Sequence, residues 1–216
     1  YWPWVKIRDT YNQIDVWVPP SGAVLAAYVL SDTLGAPWMA PAGLSRGLVP
    51  NIEAVYTQPT GEQRDEMYGG FNAINPIVQF PGTVGFYIWG QKTLQRRQSA
   101  LNRVNVRRCM LFVEKTIKTR SRGLLFEPND STLQGQFTRM ASSILDNVKT
   151  QRGLYDYYVK CDAELNTPDV IQQNQLRAQI GVQPVYAAEF ILIEFAVNAP
   201  GSFTAPATTC LLYTSP

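Results

Sequence analysis

Apolar residues recur at helical spacing twice in the middle of the chain. Val106, Met110, Val113 and Ile117 fall on one face of a predicted helix, and Leu133, Phe137, Met140, Ile144 and Val148 on one face of a second. Pro128-Asn129-Asp130 supplies the start signal of the second helix and Gly153 its stop. The period then changes. Tyr155–Cys161, about Gln175–Val182 and Glu189–Val197 read as strands, the last apolar from Phe190 onward except at Glu194. Asn166, Thr167 and Pro168 break the pattern between them, since Pro has no N–H and biases its neighbour toward extended geometry. These elements predict an α+β fold in which two long helices pack on a mainly antiparallel sheet.

The first half is punctuated more densely. Trp4–Arg8 and Ile14–Val18 read as short strands, and Pro19-Pro20 stops the second. Ser21 or Gly22 opens a helix of small residues that ends near Gly35. Residues 36–50 are rich in Pro and Gly but hold Trp38, Met39 and Leu44, which predicts an ordered loop lying on the core. Thr60 and Gln63 form a capping-box pair for a short helix that Gly69-Gly70 ends. Ile77–Phe80 and Gly85–Trp89 read as strands around a Pro81-Gly82 turn. After Phe203 the residues Thr, Ala and Pro dominate, which predicts an irregular tail.

With 216 residues the chain can bury a substantial core in one or two domains. Charged residues make up 17%, below the usual quarter, which points to surface covered by partners. Ten Lys or Arg and a single acid, Glu114, lie between Lys92 and Arg122, leaving nine basic against sixteen acidic residues elsewhere. This basic segment reads as a solvated helix face, as a nucleic-acid face, or as a surface complementary to another copy or to an acidic protein. Phe112 is its only aromatic residue, and stacking platforms need several, so protein contact is favoured over nucleic acid.

Catalytic patterns are weak. Gly85–Thr93 nearly spells a phosphate-binding loop, but Gln91 separates Gly90 from Lys92 and bulky strand formers lie between the glycines, so a strand leading into a turn is predicted instead. There is no His to activate a Ser or Cys nucleophile. Cys109, Cys161 and Cys210 have no metal-site or disulfide spacing and read as reduced thiols, with Cys161 a small buried hydrophobe at a strand end. Glu189 and Glu194 beside an apolar strand are expected to be paired structurally. No cofactor or metal is expected. No apolar run reaches the ~18–20 residues of a membrane-spanning helix. The chain opens on Tyr1-Trp2-Pro3-Trp4, not Met, which reads as a fragment of a longer protein.

Several motifs then occur in a telling order: Ala36–Gly43 with Arg46-Gly47, Arg64-Asp65-Glu66-Met67-Tyr68, Asn75-Pro76, Trp89–Leu94, Val104–Arg108 and Leu125–Asp130. Cys161-Asp162, Asn166–Ile171, Gln183-Pro184 and Ala187–Phe190 complete the series. Together, over roughly residues 15 to 200, they resemble contractile phage tail sheath proteins, the T4-like ones in particular.

The resemblance implies a structural, non-enzymatic subunit. Such subunits polymerise helically around an inner tail tube and contract, without a nucleotide, to drive the tube through the host envelope during genome ejection. It implies other copies, the tube protein, and baseplate and tail terminator proteins as partners, with no membrane partner. The location implied is the virion tail, assembled in host cytoplasm. Residues 1–50 would end an upstream sheath domain and its connecting loop, 51–203 would form the C-terminal sheath domain, and 204–216 the irregular tail. In the family, arms of neighbouring subunits add strands to the C-terminal sheet. Tyr155, Tyr157, Val159, Phe190, Leu192 and Glu194 are the candidates for that receiving sheet. Arg103, Arg107, Arg108, Lys115 and Lys118 are the candidates for contact with a neighbour or the tube. The alternatives are the sheath of a tail-like bacteriocin or other contractile injection system and, in a different class, a nucleic-acid-binding module using residues 92–122.

Overall fold

The structure, a computed structural model, describes residues 1–70, 73–196 and 209–214, with side chains as far as residue 191. It divides into two compact units that are discontinuous in sequence. One reason is pairing: the opening strand at Val5–Asp9 is completed by residues about fifty positions later.

The first unit holds Tyr1–Leu30, Pro41–Arg96 and the segment from Ala187 onward. β1 (Val5–Asp9) and β2 (Ile14–Val18) form an antiparallel hairpin with Val5 opposite Val18 and Ile7 opposite Val16, so branched side chains share the inner face. α1 (Ser21–Leu34) turns Val24 and Ala27 into the core. β3 (Leu48–Val49) and β4 (Ala54–Val55) are short, and β4 pairs with the outer edge of β1. α2 (Gly61–Gly69) starts with the predicted capping box: Gln63 N–H donates to Thr60 Oγ1 and Thr60 N–H to Gln63 Oε1. β5 (Ile77–Val78) and β6 (Phe86–Ile88) pair around the Pro81-Gly82 turn, and β6 also pairs with β3. Val5, Val49, Ile77, Phe86 and Ile88 complete the core.

The second unit holds Ser31–Ala40 and Arg97–Tyr186. α3 (Val104–Ser121) buries Val106, Cys109 and Val113, and α4 (Ser131–Thr150) buries a stripe that includes Phe137, Ala141, Leu145 and Val148. Asp130 caps α4, its carboxylate accepting from Leu133 N–H at 2.9 Å. At the other end Gly153 N–H donates to Val148 O and Arg152 N–H to Lys149 O, the Schellman pattern. The left-handed residue there is Arg152, at φ 65°, one position before the predicted stop at Gly153. Gly153 is needed for space: a Cβ would lie 2.6 Å from Val148 Cγ1 and 2.9 Å from the Trp38 ring. Trp38 is the loop residue predicted to lie on the core; it is buried, and its indole N–H donates to Gln151 O at 2.9 Å.

β7 (Leu154–Lys160) and β8 (Gln179–Pro184) then form an antiparallel ladder joined through α5 (Pro168–Gln172). α5 stands where the sequence predicts only a break. Thr167 is extended at the cap position and Pro168 begins the helix, where its missing N–H costs nothing. β9 (Ile191–Ala196) pairs with β10 (Thr209–Thr214), so it does not share a sheet with β7. β10 also replaces part of the predicted irregular tail. Cys210-Leu211-Leu212-Tyr213 is an apolar run between two β-branched threonines, which suffices for a strand despite the Pro and Ser around it.

Candidate assembly surfaces

The β7–β8 ladder has two unlike faces. Tyr157 opposite Val182 and Val159 opposite Ile180 turn toward the helices and join their core. Tyr157 also donates from its hydroxyl to Asp146 Oδ1 at 2.6 Å. On the other face Tyr158, opposite Gly181, lays its ring across the glycine: a Cβ on residue 181 would sit 2.0 Å from Tyr158 Cε1. Tyr155 lies at a bulge and is exposed. Of the predicted receiving residues, Tyr157 and Val159 are therefore core and Tyr155 is surface. Phe190 is exposed just before β9, and Leu192 and Glu194 lie in β9 with side chains outside the described residues.

This ladder is only two strands wide, and among the described residues no strand pairs with its outer edges. Between β8 and α3 a groove of about 500 Å³ stays open, lined by Met110, Val113 and Ile117 of α3, Phe137 of α4, and Ile180 and Val182 of β8. Glu114 and Lys118 stand at its rim. Sequence reasoning does not find this groove, because it arises from the width of the sheet.

The connection from β7 to β8 hangs on Asn166, which is buried. Its Oδ1 accepts from Arg177 N–H at 2.7 Å, and its Nδ2 donates to Arg177 O at 2.9 Å and Asp162 O at 3.0 Å. The asparagine of the Asn166–Ile171 motif is thus a staple between the two ends of the crossover. Cys161, immediately after β7, is buried against Phe137 and Ala141 as predicted. Desolvation pushes its thiol pKa up, and that of buried Cys109 up to about 11.

The basic helix is α3. Arg107, Lys115 and Lys118 are exposed on one helical stripe with Leu111 and Glu114. None of them, nor Arg120 or Arg122, takes part in an ion pair among the described residues. Arg108, unlike these, is engaged within the chain: Nη2 donates to both carboxylate oxygens of Asp32 at 2.6 Å. Reversing its charge would break an internal bond. Arg103 sits at the cap of α3 and donates to Asn102 Oδ1 at 3.0 Å. Past the helix, a 3-10 turn at Arg122–Leu124 leads to Leu125 and Phe126, the first two residues of the Leu125–Asp130 motif, and both are exposed.

The phosphate-loop look-alike is a packed turn. A Cβ at Gly90 would strike the Tyr68 ring at 2.8 Å, and Asn75 bonds both the N–H and the C=O of Lys92. The Lys92 ammonium donates to Tyr68 O and lies over the Tyr68 ring. Glu189 accepts from Gln91 Nε2 at 3.2 Å. No group of metal-binding side chains occurs among the described residues, and no helix there is long and apolar enough to cross a membrane.

Residues 97–198 match the phage tail sheath C-terminal domain. The chain is 34% identical over 191 residues to the tail sheath protein of Vibrio phage KVP40, covering 88% of this chain and 28% of that protein. It is 32% identical to the tail sheath protein of Enterobacteria phage T4, covering 90% of this chain and 29% of the relative. A sheath-complex chain of an extracellular contractile injection system in the contracted state superposes with a TM-score of 0.81 at 29% identity, over 92% of this chain and 55% of that one. The chain thus spans less than a third of the curated relatives it matches. The chain belongs to the contractile tail sheath family, and residues 97–198 are that family's C-terminal domain.

Proposed function

We propose that this chain is the C-terminal part of a structural subunit that polymerises helically around an inner tail tube and contracts to drive it through a host envelope. The observation that carries the proposal is the two-stranded β7–β8 ladder, whose β8 edge is unpaired among the described residues and continues into an apolar groove over α3. An extended arm from a neighbouring copy laid against β8 satisfies the edge's backbone groups and covers Met110, Val113 and Ile117. Met110 and Ile117 lie about 10 Å apart along the helix at ~1.5 Å per residue. A four-residue strand has about that length and offers two inward side chains. Such a contact joins two different surfaces and propagates into a filament.

Contraction in this scheme is a rigid-body rearrangement of subunits that the exchanged strands keep linked. It needs no catalytic group, and we assign none. Arg107, Lys115 and Lys118 face the tube or a neighbour, and the baseplate and tail terminator bound the array at its ends. The phage relatives support a virion tail as the location, and on this reading the tail is assembled in host cytoplasm.

Negative-stain electron microscopy tests the proposal on the full-length protein beside this chain alone. Striated tubes from the full-length protein only are expected. Monodisperse protein from both, across salt and concentration, would reject a sheath subunit.

A further inference from the structure

We propose that the C-terminal half of α3 and the Leu125-Phe126 tip form one docking surface for an acidic protein surface with an apolar pocket that receives Phe126. Phe126 combines two features that are individually uncommon. Its φ is 69°, in the left-handed region that bulky residues avoid, and its relative exposure is 105%, so its ring packs on nothing among the described residues. Leu125 beside it is 63% exposed.

The tip is held, not frayed. Leu125 N–H donates to Arg122 O, Asn129 Nδ2 donates to Gln175 O at 2.8 Å, and Asp130 closes the loop as the cap of α4. A strained backbone that is fixed in place and presents an unpacked aromatic ring gains nothing inside the chain. A partner that buries the ring would offset the cost.

The charge around the tip indicates the partner's chemistry. Lys115, Lys118, Arg120 and Arg122 lead up to it, against Glu114 and Glu127, and all are exposed. The helix dipole accounts for cations in the last turn only, and Lys115 lies before it. Single-stranded nucleic acid would need several stacking rings, and here one ring stands beside an aliphatic side chain. A Leu-Phe pair next to guanidinium and ammonium groups suits the buried centre and polar rim of a protein interface.

This inference rests on the sheath reading, in which the tube supplies the acidic surface. The test is co-sedimentation of the full-length protein with tubes of the tail tube protein encoded alongside it. Phe126→Gly and Phe126→Asn are the variants, since both replacements tolerate the left-handed backbone. Each is expected to keep or raise the melting temperature while weakening tube binding roughly thirty-fold, the size of an interface hot spot. Unchanged tube binding by both variants would overturn the inference and leave the sheath reading intact. A drop in melting temperature together with binding would overturn it too, because Phe126 would then be internal packing. Loss of binding to a short single-stranded oligonucleotide by the same factor would reassign the surface to nucleic acid. A wild-type protein that forms no sheaths and ignores tubes at every salt concentration would sink the sheath reading itself.

Discussion

Replacing Asn166 tests whether one side chain sets the geometry of the β7–β8 ladder. Its amide makes three hydrogen bonds to backbone groups, at 2.7, 2.9 and 3.0 Å, and two of these join it to Arg177, two residues before β8. The contact to Cys161 Sγ at 3.8 Å is weak and is left out of the estimate. Each bond contributes about 1 kcal/mol net, and buried backbone groups left without partners cost more, so Asn166→Ala is expected to destabilise by about 3 kcal/mol. Asn166→Asp separates hydrogen bonding from volume. It fills the same space but turns an acceptor toward the carbonyl oxygens of Asp162 and Arg177, so it is expected to lose at least as much.

Trp38 provides the readout. It is the only tryptophan in the second unit, since Trp2, Trp4, Trp17 and Trp89 lie in the first. In protein labelled with 5-fluorotryptophan, the Trp38 resonance follows urea unfolding of this unit. A slope of about 1–3 kcal/mol per molar urea converts the expected loss into a midpoint shift of roughly 1–3 M. An Asn166→Asp protein within about 0.5 kcal/mol of wild type would refute the reasoning, because the donor half of the amide would then be idle.

Other outcomes follow from single positions. Arg152→Gly should stabilise by up to about 1 kcal/mol, since glycine takes the left-handed C′ conformation without penalty; the same fluorine signal under urea reads it. Gly153→Ala should cost about 1–3 kcal/mol by overpacking against Val148 and Trp38, with partial recovery in the double variant Val148→Ala/Gly153→Ala. The Asp15 carboxyl is held down to about 2, first by Lys6 and then by Arg8, so a carbon-13 titration should show its midpoint well below that of a free aspartate. Its folded pKa is depressed, so its contribution to the β1–β2 hairpin is present above pH ~4 and is lost as pH falls toward 2.

Long amphipathic helices and local caps were legible in the sequence because their signals are local. The period of α4, the Asp130 start and the Thr60–Gln63 box each need only a few neighbouring residues. Long-range pairing was not legible. The pairing of β6 with β3 and of β9 with β10 depends on which edges the fold leaves free, and no residue in Ile191–Ala196 encodes its partner. Gly153 shows the same limit at one position: its place after α4 was evident, but its need for space comes from Trp38, over a hundred residues earlier. Among the candidate contacts, Arg107 and Arg108 are adjacent and chemically alike, and only the position of Asp32 separates an exposed cation from an internal one.

In the proposed assembly, the two surfaces divide the work by chemistry. A strand edge binds through main-chain groups, which every sequence carries, so many substitutions at exposed β7–β8 positions leave strand addition intact provided they avoid Pro. The proposed contact at the tip of α3 uses a single ring and a few charges, so it is expected to be intolerant at one residue and sensitive to salt. An array that must slide along one partner while staying linked to its neighbours benefits from that split. Backbone pairing maintains connection whatever the side chains do, and a small side-chain contact can release without breaking it. The strain at Phe126 belongs with the releasable contact, and the rigid staple at Asn166 with the permanent one.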